Sequence, residues 1–244
     1  MSVVSADWLE LREPADAAAR STELADLLAQ PLSGDLVIHD LGGGSGAMGR
    51  WLAPRLPHPQ HWVVHDRDED LLELAAASFE VRRSDITRLE PDALAGASCV
   101  TASALLDMLT ADELARMLDA CAGLPMLIAM TVTGGVRLSP ADPLDAHLAA
   151  AFNAHQRRDG RLGPDAVAAA AVQLGGEVLV RPSPWRLDPA HGELMIKWLG
   201  GWIAAACEQD PALDAEAYRD RRLAQAGAGE LAVTVDHADL LALP

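Results

Sequence analysis

A run of glycines between an apolar segment and a helical pattern constrains the fold of this chain more than any other feature. Residues 36–41 form a short apolar segment, typical of a buried strand, which leads directly into GGGSG at residues 42–46. Met48, Trp51 and Leu52 then recur at helical spacing. Because glycine lets a backbone turn tightly and approach a ligand closely, this strand, loop and helix predict an α/β fold with a nucleotide-type site at the loop.

Strand and helix patterns alternate along the rest of the chain, which predicts a single doubly wound α/β domain over residues 1–244. Strand-like segments cover residues 61–65, 80–83, 99–103, 126–132, 178–181 and 231–235. Between and around them we expect an N-terminal helical segment at 1–35, a helical insertion at 134–163, a polar linker after residue 208 and a turn at 236–239. Since open α/β sheets bind ligands beyond the carboxyl ends of their strands, the insertion is expected to cover the substrate pocket.

Composition limits the classes of function. Half of the 244 residues are hydrophobic, enough for a sizeable core. The 36 acidic residues exceed the 19 Lys and Arg residues, and the net charge of −17 argues against a nucleic-acid partner. The cysteines at 99, 121 and 207 form no metal-ligand pattern, and no apolar stretch approaches the ~18 residues of a membrane span. We expect a cytoplasmic protein with no metal site and no membrane association, and a homodimer is compatible with these features.

Two cofactor classes compete for the glycine loop. Gly42, Gly44 and Ala47 satisfy the GxGxxA fingerprint of dinucleotide-binding proteins, and Asp66 stands about where that fold places a ribose-binding acid. Asp40 favours a different class, because a carboxylate at the strand terminus repels a pyrophosphate but can pair with the ammonium group of an amino-acid moiety. Because the GxGxxA fingerprint is nevertheless matched, an NAD-dependent oxidoreductase remains the alternative hypothesis.

The acid and glycines resemble the first motif of the class I S-adenosylmethionine-dependent methyltransferases, (Asp/Glu)-x-Gly-x-Gly-x-Gly. Further matches follow in the family's order, after the second, third and fourth strands. The resemblance implies a Rossmann-like, mostly parallel seven-stranded sheet with an antiparallel last strand, and S-adenosyl-L-methionine as cofactor. It implies that the acid after the second strand binds the ribose and the acid after the third reaches the adenine. The cofactor-binding residues that it implies are Asp40, Gly42, Gly44, Gly46, Asp66, Arg67, Asp85, Ile86 and Ser103.

The resemblance also implies the kind of chemistry. The sulfonium methyl is already activated, so such an enzyme mainly aligns an O or N nucleophile, and a general base is needed only when that nucleophile arrives protonated. No motif typical of enzymes that methylate nucleic-acid bases follows the fourth strand, so we expect a small-molecule substrate. A methyltransferase-like protein that binds or scaffolds without turnover is a third hypothesis.

Asp107 and His155 are the candidate catalytic residues. Asp107 leaves the fourth strand and could accept a proton or hold a cation, although a helix cap is the structural alternative. His155 lies among several hydrogen-bond donors and its imidazole titrates near neutrality, although an exposed helix end explains it equally simply. On the substrate side we expect a stacking ring and cationic side chains from Arg158, Trp185 and Arg186.

Overall fold

The structure is a computed structural model, and it describes residues 5–244. Its helices are α1 (Ala6–Ala19), α2 (Thr22–Ala29), α3 (Ala47–Leu52), α4 (Glu69–Ala75), α5 (Ala111–Ala120), α6 (Asp145–Gln156), α7 (Ala166–Leu174), α8 (Gly192–Gln209) and α9 (Glu216–Gly227). Its strands are β1 (Leu36–Leu41), β2 (Gln60–Asp66), β3 (Glu80–Arg83), β4 (Cys99–Ser103), β5 (Met126–Ser139), β6 (Glu177–Pro182), β7 (Trp185–Leu187) and β8 (Ala232–Leu243).

The strands form one sheet in the order β3-β2-β1-β4-β5-β8-β6. The pairs from β3 through β5 are parallel, whereas β8 runs antiparallel to both β5 and β6. The predicted seven-stranded, mostly parallel sheet with an antiparallel last strand is therefore confirmed. The three-residue β7, which the sequence analysis does not predict, pairs with β8 as an eighth strand.

Helices cover both faces of this sheet, as the doubly wound prediction requires. One face is covered by α2, α3 and α8, whose apolar side chains join those of Ile38 and Leu127 in a single buried cluster. The opposite face is covered by α5 and α7, which pack on Val100 and Ile128. Helix α5 begins at a capping box, in which the side chains of Thr110 and Glu113 each accept a hydrogen bond from the backbone amide of the other residue. The helix therefore starts at a defined residue.

The pair β5 and β8 continues past the edge where β4 ends. Ser103 pairs with Ala129, yet β5 runs on to Ser139 and remains paired with β8 through two irregularities in register. The turn predicted at residues 236–239 is wrong because these residues lie inside β8, where the polar side chains of His237 and Asp239 are buried. The insertion predicted from residue 134 accordingly begins as strand, and its helix starts only at Asp145.

The N-terminal segment consists of two capped helices. The Ser5 hydroxyl accepts a hydrogen bond from the amide of Trp8 at the start of α1, and the Ser21 hydroxyl accepts one from Leu24 at the start of α2. None of the helices in residues 5–244 combines the length and apolar content needed to cross a bilayer. The junction between α1 and α2 borders the site described next.

Candidate cofactor and active site

The glycine loop joins β1 to α3 at the carboxyl edge of the sheet. Its φ angles are +63° at Gly42, +53° at Gly44 and +84° at Gly46, all in the left-handed region that glycine adopts without strain. The loop lies where the sheet reverses its strand order, between β2 and β4 on either side of β1, the position at which open α/β sheets bind ligands.

Asp40 lies beneath this loop and not at its surface. Its side chain is 0% exposed, one oxygen accepts a hydrogen bond from the Thr101 hydroxyl at 2.7 Å, and Oδ2 has no partner within the described residues. Burial raises the pKa of Asp40 to about 7, against the opposing effects of the Thr101 hydrogen bond and the charge of Arg20. A Cβ on Gly43 would lie 2.9 Å from both Asp40 Cγ and Val64 Cγ1, so the loop rests directly on this carboxyl. The structure therefore provides no open face of Asp40 for the direct ammonium contact expected from the sequence.

Asp66, at the end of β2, holds the loop from the other side. Its Oδ2 accepts a hydrogen bond from the Gly44 amide at 2.9 Å, and its Oδ1 accepts one from the Asp68 amide at 3.0 Å. The side chain is half-buried, and each carboxylate oxygen can accept a second hydrogen bond. The carboxylate is thus oriented at the loop with acceptor capacity left for hydroxyl groups. The next residue, Arg67, is exposed.

Asp85 and Ile86 follow β3 at the same edge. The Asp85 carboxylate accepts hydrogen bonds from the amide and hydroxyl of Thr87, at 3.0 and 2.6 Å, and so caps a short 3₁₀ turn. The hydrogen bond from the Thr87 hydroxyl is the main reason that the pKa of Asp85 is lowered. Ile86 is buried next to this exposed acid, giving an apolar surface beside a hydrogen-bond acceptor.

The end of β4 completes the edge. The Ser103 hydroxyl accepts a hydrogen bond from Arg20 at 3.0 Å, and Ala104 adopts a φ of +52°, a strained conformation for a residue other than glycine. Asp107 follows in a buried 3₁₀ turn. Burial raises the pKa of Asp107, and the charges of Arg12 and Arg161 oppose this shift.

Helix α1 lies across the loop and contacts it through one side. Leu9 is close to the glycine loop, since a Cβ built on Gly44 would lie 3.2 Å from Leu9 Cδ1. Glu13 forms an ion pair with Arg50 of α3 at 2.6 Å, and that arginine also donates to the Ser45 carbonyl at 2.6 Å. The helix and the loop are therefore connected by both apolar and ionic contacts.

Another side of α1 faces β7. Trp8, Arg12 and Asp16 are spaced four residues apart, on one side of the helix, and all three interact with Trp185. The Trp185 indole donates to Asp16 at 2.8 Å, and the Arg12 guanidinium lies 4.9 Å from the centroid of one Trp185 ring. Arg186 points to the opposite face of the strand and is exposed, because successive strand residues alternate. The structure does not bring Trp185 and Arg186 to one ligand.

His237 is a site residue that the sequence analysis missed. It lies on β8 opposite Val132, beyond the end of β4, and its ring centroid is 5.2 Å from that of Trp185. Nδ1 is 3.0 Å from the Val235 carbonyl, which assigns the proton to Nδ1 and leaves Nε2 as an acceptor. Burial and, to a smaller extent, the charge of Arg12 lower the pKa of His237 to about 4. The alternation of Val233 and Val235 continues to position 237, a signal that could have extended the strand.

His155 and Arg158 lie elsewhere, at the contact between α6 and α8. The Nε2 of His155 is 3.3 Å from a Glu208 oxygen, and Arg158 forms an ion pair with the same carboxylate. Arg158 also donates to the Gln209 side chain at 2.9 Å. Among the described residues neither side chain contacts the glycine loop or Asp107, so these interactions explain both residues as a link between two helices.

Residues 5–244 contain no group of three or more His, Cys, Asp or Glu side chains placed to hold a metal ion. The polar groups that converge at the carboxyl edge are an oriented carboxylate at the end of β2, an acid beside an apolar side chain after β3, and the buried guanidinium of Arg20, which donates to the end of β4.

No protein-family model matches the chain, and a search of curated proteins finds no match. In contrast, 407 solved chains match its structure. A protein of Anaeromyxobacter dehalogenans assigned as a type II methyltransferase matches with a TM-score of 0.56 at 19% identity, over 92% of this chain and 97% of its own. The cyclopropane synthase MmaA2 of Mycobacterium tuberculosis gives 0.52 at 15% identity, over 98% and 95%. This chain has the class I methyltransferase fold. A protein of Bacillus halodurans assigned as a methyltransferase agrees, with 0.51 at 14% identity over 91% and 97%.

Proposed function

We propose that this protein transfers a methyl group from S-adenosyl-L-methionine to an O or N nucleophile of a small molecule. The position of β8 carries the proposal: it runs antiparallel between β5 and β6, whereas the sixth strand of a dinucleotide-binding fold extends a parallel sheet. The same sheet carries the glycine loop with Asp66 hydrogen-bonded to Gly44, which supports a nucleoside ligand at that edge.

The residues at the carboxyl edge fit the parts of this cofactor. We assign Asp66 to the ribose hydroxyls, since its carboxylate is oriented at the loop and retains acceptor capacity. Asp85 and Ile86 suit an adenine, which presents an amino donor on an apolar ring. When bound, the cofactor would supply an electrophilic methyl on a sulfonium. Loop glycines permit the close approach, and the end of β4 at Ser103 borders the same space.

Asp107 and His237 are our candidates for handling the proton of the nucleophile. Both are buried, and Arg12 influences the pKa of each. His237 presents an unprotonated Nε2 that can accept a hydrogen bond. With a pKa of about 4 it is a weak base, so we assign it to orienting an N–H or O–H group of the nucleophile by that hydrogen bond. The pKa of Asp107 is raised by burial, which makes its carboxylate a stronger base than an exposed aspartate. We do not assign catalysis to His155, whose partner is Glu208.

Binding of S-adenosylhomocysteine tests the cofactor assignment. We expect calorimetry to detect binding by the wild-type protein, and Asp66→Ala to weaken it by ~1–3 kcal/mol through loss of charge-assisted hydrogen bonds. Asp70→Ala is the matched control, because this exposed acid lies four residues further on and makes no side-chain contact with the loop. Unfolding curves of each variant establish that the fold is retained.

Competition separates the rival hypotheses. NADH that binds and cannot be displaced by S-adenosylhomocysteine would overturn the proposed function in favour of an oxidoreductase. Equal affinities of the Asp66 and Asp70 variants would remove Asp66 from the site. Cofactor binding without methyl transfer to any of a panel of hydroxyl and amine metabolites would favour the binding protein without turnover.

A further inference from the structure

Arg20 is a buried arginine whose hydrogen-bonding capacity is only partly used. It follows α1 directly and is 4% exposed. Its Nη1 donates to the Ala47 carbonyl at 3.4 Å, its Nη2 donates to the Ser103 hydroxyl at 3.0 Å, and its Cζ lies 5.5 Å from the centroid of the Trp51 ring. Nε is buried and has no partner within residues 5–244. Since a guanidinium carries five N–H donors, these two hydrogen bonds leave most of its capacity free.

The neighbouring carboxylates do not use this capacity. Asp16, Asp40 and Asp239 lie close enough for their charges to raise the pKa of Arg20, which burial lowers, but none accepts a hydrogen bond from it. Asp16 accepts hydrogen bonds from a tryptophan and an arginine, and Asp239 accepts them from two backbone amides and a serine hydroxyl. Asp40 accepts one from a threonine through Oδ1, and its buried Oδ2 makes no hydrogen bond to Arg20 or to any other described residue. A buried cation without a direct counter-ion is costly, so the site favours an anionic ligand.

The position of the guanidinium indicates which anion. Ala47 is the first residue of α3 after the glycine loop, and Ser103 is the last residue of β4. Arg20 bridges these two segments, at the end of the site opposite to the ribose and adenine residues on β2 and β3. A planar guanidinium can donate two parallel hydrogen bonds to a carboxylate, a geometry that the ammonium group of a lysine does not provide.

A hydrogen bond of the next residue, Ser21, fixes the position of Arg20 in the chain. The amide of Ser21 donates to the buried carboxylate of Asp239 at 2.7 Å, and Asp239 is fixed in turn by the Met130 amide at 2.8 Å and the Ser183 hydroxyl at 2.6 Å. The α1–α2 junction is therefore attached to β5 and β8, which lie on the side of β4 away from β2 and β3.

We propose that Arg20 binds the α-carboxylate of the methionine moiety of the cofactor. This inference rests on the proposed function and extends it, because it makes the α1–α2 junction part of the cofactor site. The role of Asp40 changes as well. In place of pairing with the ammonium group of the cofactor, Asp40 acts on Arg20 electrostatically from beneath the loop, and Arg20 pairs with the α-carboxylate.

Two ligands that differ in the amino-acid moiety test this assignment by calorimetry. S-adenosylhomocysteine carries the α-carboxylate, and 5′-methylthioadenosine lacks the entire amino-acid portion. For Arg20→Gln we expect a loss of ~10-fold or more in affinity for S-adenosylhomocysteine, with the affinity for methylthioadenosine within ~3-fold of the wild type. Arg20→Lys keeps the charge but not the planar fork, so we expect a smaller loss with the same selectivity.

Arg55→Gln is the matched control, because Arg55 lies over the same Trp51 ring, 4.6 Å from its centroid, but is exposed. Its affinities for both ligands should match those of the wild type. Equal losses for both ligands, or no loss for either, in folded Arg20→Gln and Arg20→Lys would overturn the assignment while leaving the proposed function intact. Absence of S-adenosylhomocysteine binding to the wild type would overturn the proposed function and this inference with it.

Discussion

The buried carboxyl of Asp40 illustrates, at the residue scale, how a motif residue acquires a property that its position in the sequence does not reveal. The pattern places an acid before the glycine loop, and an exposed acid would be ionised at neutral pH. In the fold it faces the layer below the loop and touches Thr101, and burial raises its pKa to about 7. Its charge near neutrality therefore depends on pH.

This pKa predicts a pH dependence of stability for the ligand-free protein. The folded state binds a proton at Asp40 up to about pH 7, whereas an unfolded aspartate loses it near pH 3.9. Between these values the folded state binds more protons, so the contribution of Asp40 to stability falls as pH rises, by up to ~1.4 kcal/mol per unit. We expect Asp40→Asn to gain stability relative to the wild type as pH increases from about 4 to about 7, and to level off above.

Urea unfolding at several pH values measures this difference. Asp35→Asn serves as control, because Asp35 is exposed just before β1. Its replacement removes a carboxyl group without removing a buried one, so we do not expect the gain in stability between about pH 4 and about pH 7 that Asp40→Asn gives. A constant difference between Asp40→Asn and the wild type across this range would contradict the assigned pKa.

Individual site residues were predictable where they end a strand. Asp66, Asp85 and Ser103 lie at the carboxyl edge as expected, because parallel strands bring their ends to one side of the sheet. His237 was not predictable in the same way. It belongs to an antiparallel strand and reaches the site only because β5 and β8 remain paired beyond the sheet edge, a feature that depends on tertiary contacts.

At the scale of elements, the strands from β1 to β6 and the long helices follow from apolar periodicity, but α9 does not. The polar sequence after residue 208 predicts a linker, with a solvated helix end at residues 218–222, whereas α9 has polar side chains on its buried side. Tyr218 and Arg222 are buried and both bond to Asp145 of α6, with the tyrosine hydroxyl donating at 2.7 Å and the arginine at 2.6 and 2.8 Å. A polar stripe satisfied by another helix cannot be recognised from periodicity alone.

Helix α8 offers a test of how its own backbone is stabilised. Gly200 lies within the helix and is exposed, and a Cβ at this position would meet nothing within 4 Å. We expect Gly200→Ala to raise the free energy of unfolding by ~0.5–1 kcal/mol, because alanine favours the helix and restricts the unfolded chain.

The contrasting variant is Gly43→Ala in the glycine loop. Its Cβ would lie 2.9 Å from Asp40 Cγ and Val64 Cγ1, so we expect a loss of ~1–3 kcal/mol from overpacking. Denaturant unfolding of both variants gives the comparison. A destabilised Gly200→Ala protein would show that this exposed position of α8 is constrained by something other than helix propensity.

At the scale of the whole molecule, the excess of negative charge is the dominant electrostatic feature. Acidic residues number 36 against 19 basic ones, and many of the arginines are already paired, as in Arg50 with Glu13, Arg137 with Asp236 and Arg181 with Glu23. The remaining charges are therefore mostly carboxylates that repel one another across the surface.

Screening of this repulsion should stabilise the fold. Raising the concentration of a monovalent salt from about 0.01 to about 0.1 M shortens the Debye length from ~30 to ~10 Å, so we expect the Tm to rise. Thermal unfolding in sodium chloride and in potassium chloride should give the same increase if screening is the cause. A lower Tm at the higher concentration would mean that the surface ion pairs contribute more to stability than the repulsion removes.

Side chains along β8 alternate between the two faces of the strand, and this alternation fixes the orientation of two site residues at once. Val235, His237 and Asp239 are two residues apart, so their side chains share a face of the strand, while Ala238 and Leu240 occupy the other. Inserting one residue after Val235 while the rest of the pairing is kept would exchange these faces. The imidazole and the carboxylate that anchors Ser21 would both move to the wrong side together, whereas a two-residue insertion would preserve their orientation.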